Sequence, residues 1–206
     1  MELIWIRHAA TKGNLEKRYI SLTDEKLCPE GISALLEKKV EKVYPEVDRV
    51  YSTYLNRCME TAKLLYPLQG LHILEGLEEM HFGVFEGKNF QELDGNEDYQ
   101  KWIDSDAYAG MPEGESRGEF LERITRETYE FLKVCKGNKI AMIVHGGTIM
   151  AALTYLDGSG PYFSYACDNG AGFRTVIPDM TIERLRNGNL GIEDLHGCVT
   201  KIERLF

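Results

Sequence analysis

Three short segments of this chain carry side chains suited to holding an anionic group. Arg7-His8-Ala9-Ala10-Thr11, with Asn14 just beyond, follows one apolar run. Ser52 is followed by Arg57, and His145-Gly146-Gly147-Thr148 follows a second apolar run. Arginine presents planar, forked donors that match phosphate oxygens. Glycines at a helix start expose backbone amides to the same kind of group. Imidazole can be neutral near pH 7 and is a competent nucleophile toward phosphorus. Cations gathered at one place repel one another, so a bound dianion, most simply a phosphoryl group, accounts for them. Transfer of that group needs an acid to protonate the departing oxygen. The carboxylate-rich run Leu77 to Gly87 supplies candidates, and Glu79 is the choice among Glu75, Glu78, Glu79 and Glu86. Partial burial beside Phe82 and an anionic phosphate would both raise its pKa.

These side chains can act together only if the elements that carry them end at one place. Leu3 to Ile6 reads as a buried strand. A helix is expected over Glu30–Tyr44 after Pro29, with Ile32, Leu35, Leu36, Val40 and Val43 at helical spacing. Val47–Tyr51 reads as a strand, Leu55–Tyr66 as a helix stopping before Pro67, and His72–Leu74 as a short strand. A long helix is expected over Ser116–Cys135, then a strong strand Lys139–Val144 and a helix Thr148–Leu156. Beyond these, Phe173–Ile177, Met180–Leu185 and Val199–Leu205 read as strands, with Asn187-Gly188-Asn189 as a hairpin turn. Alternating strands and helices imply an α/β fold with a mostly parallel sheet covered on both faces. Ligands of such sheets bind beyond the carboxyl ends of the strands. Residues just after Ile6, Tyr51 and Val144 should therefore converge.

Composition narrows the function further. The 206 residues fit one domain over 1–206, in which 105–118, rich in Gly and Pro, is an expected lid. A formal charge of −9 disfavours nucleic acids and anionic membranes as partners and leaves a small phosphorylated metabolite. No apolar run approaches the ~20 residues of a membrane span. The opening segment lacks the features of a signal peptide, and five scattered cysteines form no C-x-x-C pair. A reducing cytoplasm is the expected compartment. His196 and Cys198 make only half a metal site, so neither a metal nor a cofactor is expected. P-loop, dinucleotide-binding, nucleophile-elbow and H-E-x-x-H patterns are absent from the sequence.

The segments Arg7 to Thr11, Ser52 through Arg57 to Thr61, Leu77 to Gly87 and Ile143 to Gly147 stand in the order of four motifs of the histidine phosphatase superfamily, also called phosphoglycerate-mutase-like. The chain resembles that family from Ile4 to about Ala151. The resemblance implies a three-layer α/β/α sandwich and a metal-free phosphomonoesterase. His8 would carry the phosphoryl group. Arg7, Arg57 and His145 would hold it, with Asn14, Thr11 and the Gly146 amide at the substrate. Glu79 would donate a proton and then activate water. The segments Asn14 to Gly31 and Pro112 to Ser116 are similar to small bacterial phosphatases, among them α-ribazole phosphatase of cobalamin synthesis. Ala9, Ala10, Ser21 and Lys26 depart from the common pattern at positions flanking the site. A phosphoglycerate mutase and a non-catalytic phospho-ligand-binding module are the alternative readings.

Overall fold

The computed structural model describes residues 1–41 and 44–205. The strands are β1 (Glu2–Arg7), β2 (Arg49–Thr53), β3 (Leu71–Leu74), β4 (Lys139–Val144), β5 (Gly172–Val176) and β6 (Lys201–Arg204). They form one six-stranded sheet in the order β3-β2-β4-β1-β5-β6. β1 to β4 are mutually parallel, while β5 runs antiparallel to β1 and β6 antiparallel to β5. The helices are α1 (Lys12–Leu15), α2 (Pro29–Val40), α3 (Asn56–Leu65), α4 (Glu97–Asp104), α5 (Arg117–Val134), α6 (Gly146–Asp157) and α7 (Asp179–Arg186).

The central strands are apolar on both faces, as a sheet covered on both sides requires. Alternation along each strand divides them between two cores. Leu3, Trp5, Met142 and Val144 pack with Phe120 and Ile124 of α5 and Ile149 and Leu153 of α6. Ile4, Ile6, Val50 and Ile143 pack with Leu35 of α2 and Cys58, Ala62 and Leu65 of α3. This is the expected three-layer sandwich. The start of α5 is set locally: the Ser116 hydroxyl accepts from the Glu119 amide and the Glu119 carboxylate accepts from the Ser116 amide. Such a reciprocal cap stabilises a helix by about 1 kcal/mol.

Several expectations are corrected. Met180–Leu185 is not a strand but part of α7. Ile182 and Leu185 are its buried positions, three apart on one helical face, and Asn187 ends the helix instead of opening a hairpin. The second strand lies later than Val47–Tyr51 and includes Ser52 and Thr53. α2 is buried only along a narrow stripe around Leu35, with Leu36 and Val40 exposed, and Val43 lies outside the described residues. α4 was not anticipated. Asn96 caps it, and Tyr99 and Trp102 turn toward the first core.

Candidate active site

Because β1, β2 and β4 are parallel neighbours, their carboxyl ends open at one edge. Arg7 is the last residue of β1 and His8 the next. The His8 amide donates to the carbonyl of Val144 at 3.0 Å, which ties the two strand ends together. His145 follows β4 at once and caps α6. Thr53 ends β2, and Arg57 stands on the first turn of α3. The convergence expected from the strand ends is found: the His8 and His145 rings meet edge to face with centroids 5.3 Å apart. Exposure of His8, Arg57 and His145 is 4%, 1% and 0%, so charge here acts with little screening by solvent.

Hydrogen bonds set the state of each group. His8 Nδ1 lies 2.8 Å from the Ala9 carbonyl, which can only accept. Nδ1 therefore carries the proton and the Nε2 lone pair is free. Arg57 is clamped by donating to the carbonyls of Thr23 at 2.8 Å and Ser21 at 2.6 Å. Its Nη2 also faces His145 Nδ1 at 3.3 Å, so that nitrogen accepts and His145 Nε2 donates to Thr53 Oγ1 at 3.0 Å. Arg7 donates to the Cys167 carbonyl at 2.8 Å. Both Arg7 Nε and Arg57 Nε are buried without a partner among the described residues. Buried guanidinium donors without acceptors, on two arginines whose charge reaches an imidazole with a free nitrogen, suit an anion. Burial above all, reinforced by Arg57, lowers the pKa of both His8 and His145 well below the usual imidazole range. His8 is thus neutral, and nucleophilic, at pH 7.

The structure also separates the carboxylates. Glu79 lines the cleft beside Arg7 and Gly146. Its Oε2 accepts from the Gly147 amide at 2.9 Å and its Oε1 from the Met80 amide at 3.0 Å. Glu86 turns away to accept from the Ser21 and Thr23 amides, Glu78 accepts from the Gly76 amide, and Glu75 is exposed. A Cβ on residue 147 would sit 2.0 Å from Glu79 Oε1, so Gly147 leaves the room the Glu79 carboxylate occupies. The Gly146 amide has no protein acceptor among the described residues, and Gly146 lines the cleft. Thr11 and Asn14 serve α1: the Thr11 hydroxyl accepts from the Asn14 amide, and Asn14 Oδ1 accepts from the Thr11 amide. Asn169 joins this group, donating to the His8 carbonyl at 3.0 Å and to Asn14 Oδ1 at 3.2 Å.

Sequence reasoning missed Arg123. It donates to the carbonyls of Gly76, Glu78 and Glu79 and forms a forked pair with Glu115, both contacts at 2.7 Å. Burial pushes the Glu115 carboxyl up, but Arg123 and the His81 amide outweigh that and hold it below the usual range. Arg123 therefore fixes the backbone that presents Glu79. Thr53 and Asn169 were missed as well. Only Thr53 had a local signal, its place beside Ser52. Cys58 lies 3.6 Å from His145 Nε2, but burial raises its thiol to about 12 and leaves it unreactive. His72 is exposed against Tyr51, and His196 is exposed on the surface.

Arg7, Glu79, Gly146 and Gly147 border a cleft of about 370 Å³ walled by Tyr19, Phe82, Trp102, Tyr162 and Phe163. Tyr19 packs on Phe82 at 5.1 Å and edge-on to Trp102 at 5.5 Å. The segment 105–118 contributes Asp106, Ala107 and Arg117 to this wall. It is tied to the preceding loop by bonds from Val84 N to the Pro112 carbonyl and from Glu115 N to the His81 carbonyl. Of the aromatic residues near the chain's end, Tyr162 and Phe163 face the cleft, while Tyr155 and Tyr165 bond to Ile192 and Asp157. Among the described residues no three His, Cys, Asp or Glu side chains cluster as metal ligands, and no helix is long and apolar enough to cross a membrane.

A mostly parallel α/β sheet with a paired-histidine, paired-arginine anion seat at its parallel strand ends defines an enzyme of phosphoryl chemistry. Residues 3–173 match the histidine phosphatase superfamily (branch 1), and the chain belongs to that family. It is 30% identical over 162 residues to "Putative phosphoserine phosphatase 2" of Hydrogenobacter thermophilus, covering 77% of this chain and 79% of that one. It is 24% identical over 152 residues to "Probable phosphoglycerate mutase GpmB" of Escherichia fergusonii, covering 71% and 70%. The crystal structure of the alpha-ribazole phosphatase from Shigella flexneri superimposes with a TM-score of 0.77 at 24% identity, covering 87% of this chain and 92% of that one, which shows the shared fold. The protein is a phosphatase by family and by its phosphatase-named relatives.

Proposed function

We propose that the protein is a metal-independent phosphomonoesterase working through a phosphohistidine on a small phosphorylated metabolite. The observation that carries this reading is the free Nε2 of His8, in a ring on which the Arg57 and Arg7 charges act, together with the unpartnered Nε atoms of those two arginines. The substrate phosphate docks on the two guanidinium groups, and His8 Nε2 attacks phosphorus as the ester P–O bond breaks. The His8 ring becomes cationic, and its Nδ1–H donates to the Ala9 carbonyl, which stabilises that charge. Glu79 serves as the acid that gives a proton to the leaving oxygen. It then takes a proton from the water that attacks phosphorus as the P–Nε2 bond breaks, releasing phosphate and restoring neutral His8. His145, with one ring nitrogen on Thr53 and the other on Arg57, orients the Arg57 guanidinium that holds the phosphate.

For the leaving group, α-ribazole 5′-phosphate is the leading substrate. The aromatic cleft beside Glu79 suits an alcohol that carries a flat ring, as the riboside does, and the Shigella flexneri neighbour is an alpha-ribazole phosphatase. Such a role lies in the cytoplasm, in cobalamin synthesis, without nucleic acid or membrane partners. The mutase reading is weaker, because a mutase must bind a second small acid and the cleft is mainly apolar. A pure binding module would need neither a free imidazole nitrogen nor Glu79. The test is hydrolysis of p-nitrophenyl phosphate and α-ribazole 5′-phosphate in EDTA, comparing wild type with His8→Ala. Activity that survives chelation and is lost in the variant supports the proposal. Activity lost to EDTA, or retained without His8, refutes the mechanism, and faster transfer between phosphoglycerates than hydrolysis refutes the choice over a mutase.

A further inference from the structure

Arg117 is an unusual occupant of an aromatic cleft. Its side chain is only 9% exposed, yet it lines the space into which a leaving group would extend. Its guanidinium carbon lies 4.7 Å from the Tyr162 ring centre, 4.9 Å from that of Phe163 and 5.6 Å from that of Tyr108. Asp106 is its one side-chain acceptor among the described residues, through Nη1, whereas Nε is buried and unpartnered and Nη2 has no protein acceptor among those residues. Stacking on aromatic faces stabilises the cation but satisfies no N–H. A buried donor without an acceptor is costly, and the guanidinium that carries it, with its free Nη2, belongs to a residue lining the cleft.

We propose that Arg117 is a specificity-determining donor: it reads a hydrogen-bond acceptor on a flat, heteroaromatic leaving group held between the aromatic walls. This rests on the phosphomonoesterase reading and specifies the class of alcohol. The charge balance selects a neutral acceptor, a ring nitrogen or carbonyl oxygen, over a carboxylate. Asp106 already neutralises the guanidinium, so a second carboxylate would bring an uncompensated negative charge beside Asp106 and Glu79. The Asp106 pair also sits on unusual backbone. Asp106 and Ala107 have φ of 54° and 67°, a left-handed conformation that non-glycine residues adopt at a cost. The Ala107 carbonyl accepts from the Arg117 amide at 2.9 Å, so this turn fixes the start of α5 and the guanidinium together.

The test compares binding of non-hydrolysable phosphonates by calorimetry, so that it does not depend on turnover. Naphthalen-2-ylmethylphosphonate has no ring acceptor, and the quinolinylmethylphosphonate isomers place one nitrogen at successive ring positions. The expected result is that at least one quinolinyl isomer binds the wild type about tenfold tighter than the naphthyl compound, the scale of one hydrogen bond to a charged donor. That preference should fall to near unity in Arg117→Met and survive in part in Arg117→Lys. Asp106→Asn, which leaves the guanidinium uncompensated, should shift preference toward a carboxynaphthyl phosphonate. Equal binding of all isomers to the wild type, or a preference that survives Arg117→Met, overturns the proposal. The phosphatase reading is judged separately, by hydrolysis of 2-naphthyl phosphate by wild type and His8→Ala.

Discussion

Acidification should unload stability from this protein at a slope set by its two buried imidazoles. In the unfolded chain a histidine takes up a proton near pH 6.5. In the folded chain burial, with Arg57 close by, holds His8 and His145 neutral to well below that value. Between the two pKa values the unfolded state binds more protons than the native state, so stability falls as pH falls. Above about pH 6.5 both states are neutral and the term vanishes. Below it each imidazole approaches a slope of about 1.4 kcal/mol per pH unit. Integrated from pH 6.5 to 5.5, that is about 1 kcal/mol for each and about 2 kcal/mol for the pair, a sizeable part of a total stability of about 5–15 kcal/mol. The paired carboxylates, Glu115 among them, titrate below this window because their pKa values are lowered. Urea unfolding at pH 8.0, 6.5 and 5.5 measures the effect, with His8→Asn and His145→Asn as controls. Each variant should lose about half of the pH-dependent part, whatever its stability at pH 8.0. If both variants keep the full wild-type dependence between pH 6.5 and 5.5, the buried-neutral assignment is wrong.

Three further outcomes are expected from the geometry around Glu79. Gly147→Ala places a methyl group on Glu79 Oε1 and should lower turnover of an alkyl phosphate at least tenfold through loss of the Glu79 position. Unchanged kinetics in a folded variant would show that the Glu79–Gly147 bond does not matter. Glu79→Gln should slow an alkyl phosphate by about 10²–10⁴-fold and p-nitrophenyl phosphate less, since that leaving group needs little protonation; equal losses would remove Glu79 as the acid. Arg123→Met strands Glu115 and frees three backbone carbonyls, so denaturant unfolding should show a loss of about 3 kcal/mol. A lowered kcat with little change in KM should accompany it, because Arg123 touches the Glu79 backbone and not the cleft.

The sequence by itself determined the catalytic half of this site. Central parallel strands must be apolar on both faces, so Leu3 to Ile6 and Ile140 to Val144 are continuous hydrophobic runs. The polar residues that end such runs are delivered to one edge by topology, which is why His8, Arg57 and His145 could be grouped before any contact was known. α5 was equally legible, because its cap and its buried stripe agree with each other. The C-terminal region misled. The short run Met180 to Leu185 suits a strand or a helix, and only packing of Ile182 and Leu185 into the first core decides for α7. Glu79 stands out already in the sequence, but what separates it from Glu75, Glu78 and Glu86 physically, its two oxygens on the Gly147 and Met80 amides, is supplied only by tertiary structure. Tertiary structure alone brought Arg123 beneath the Glu79 loop, and Tyr19, Trp102 and Tyr162 to the cleft, from segments far apart in the chain. Strand-end chemistry is written locally because a strand's direction fixes where its end lies. A cleft wall built from loops is not, because its members share no period or spacing and meet only after the chain has folded.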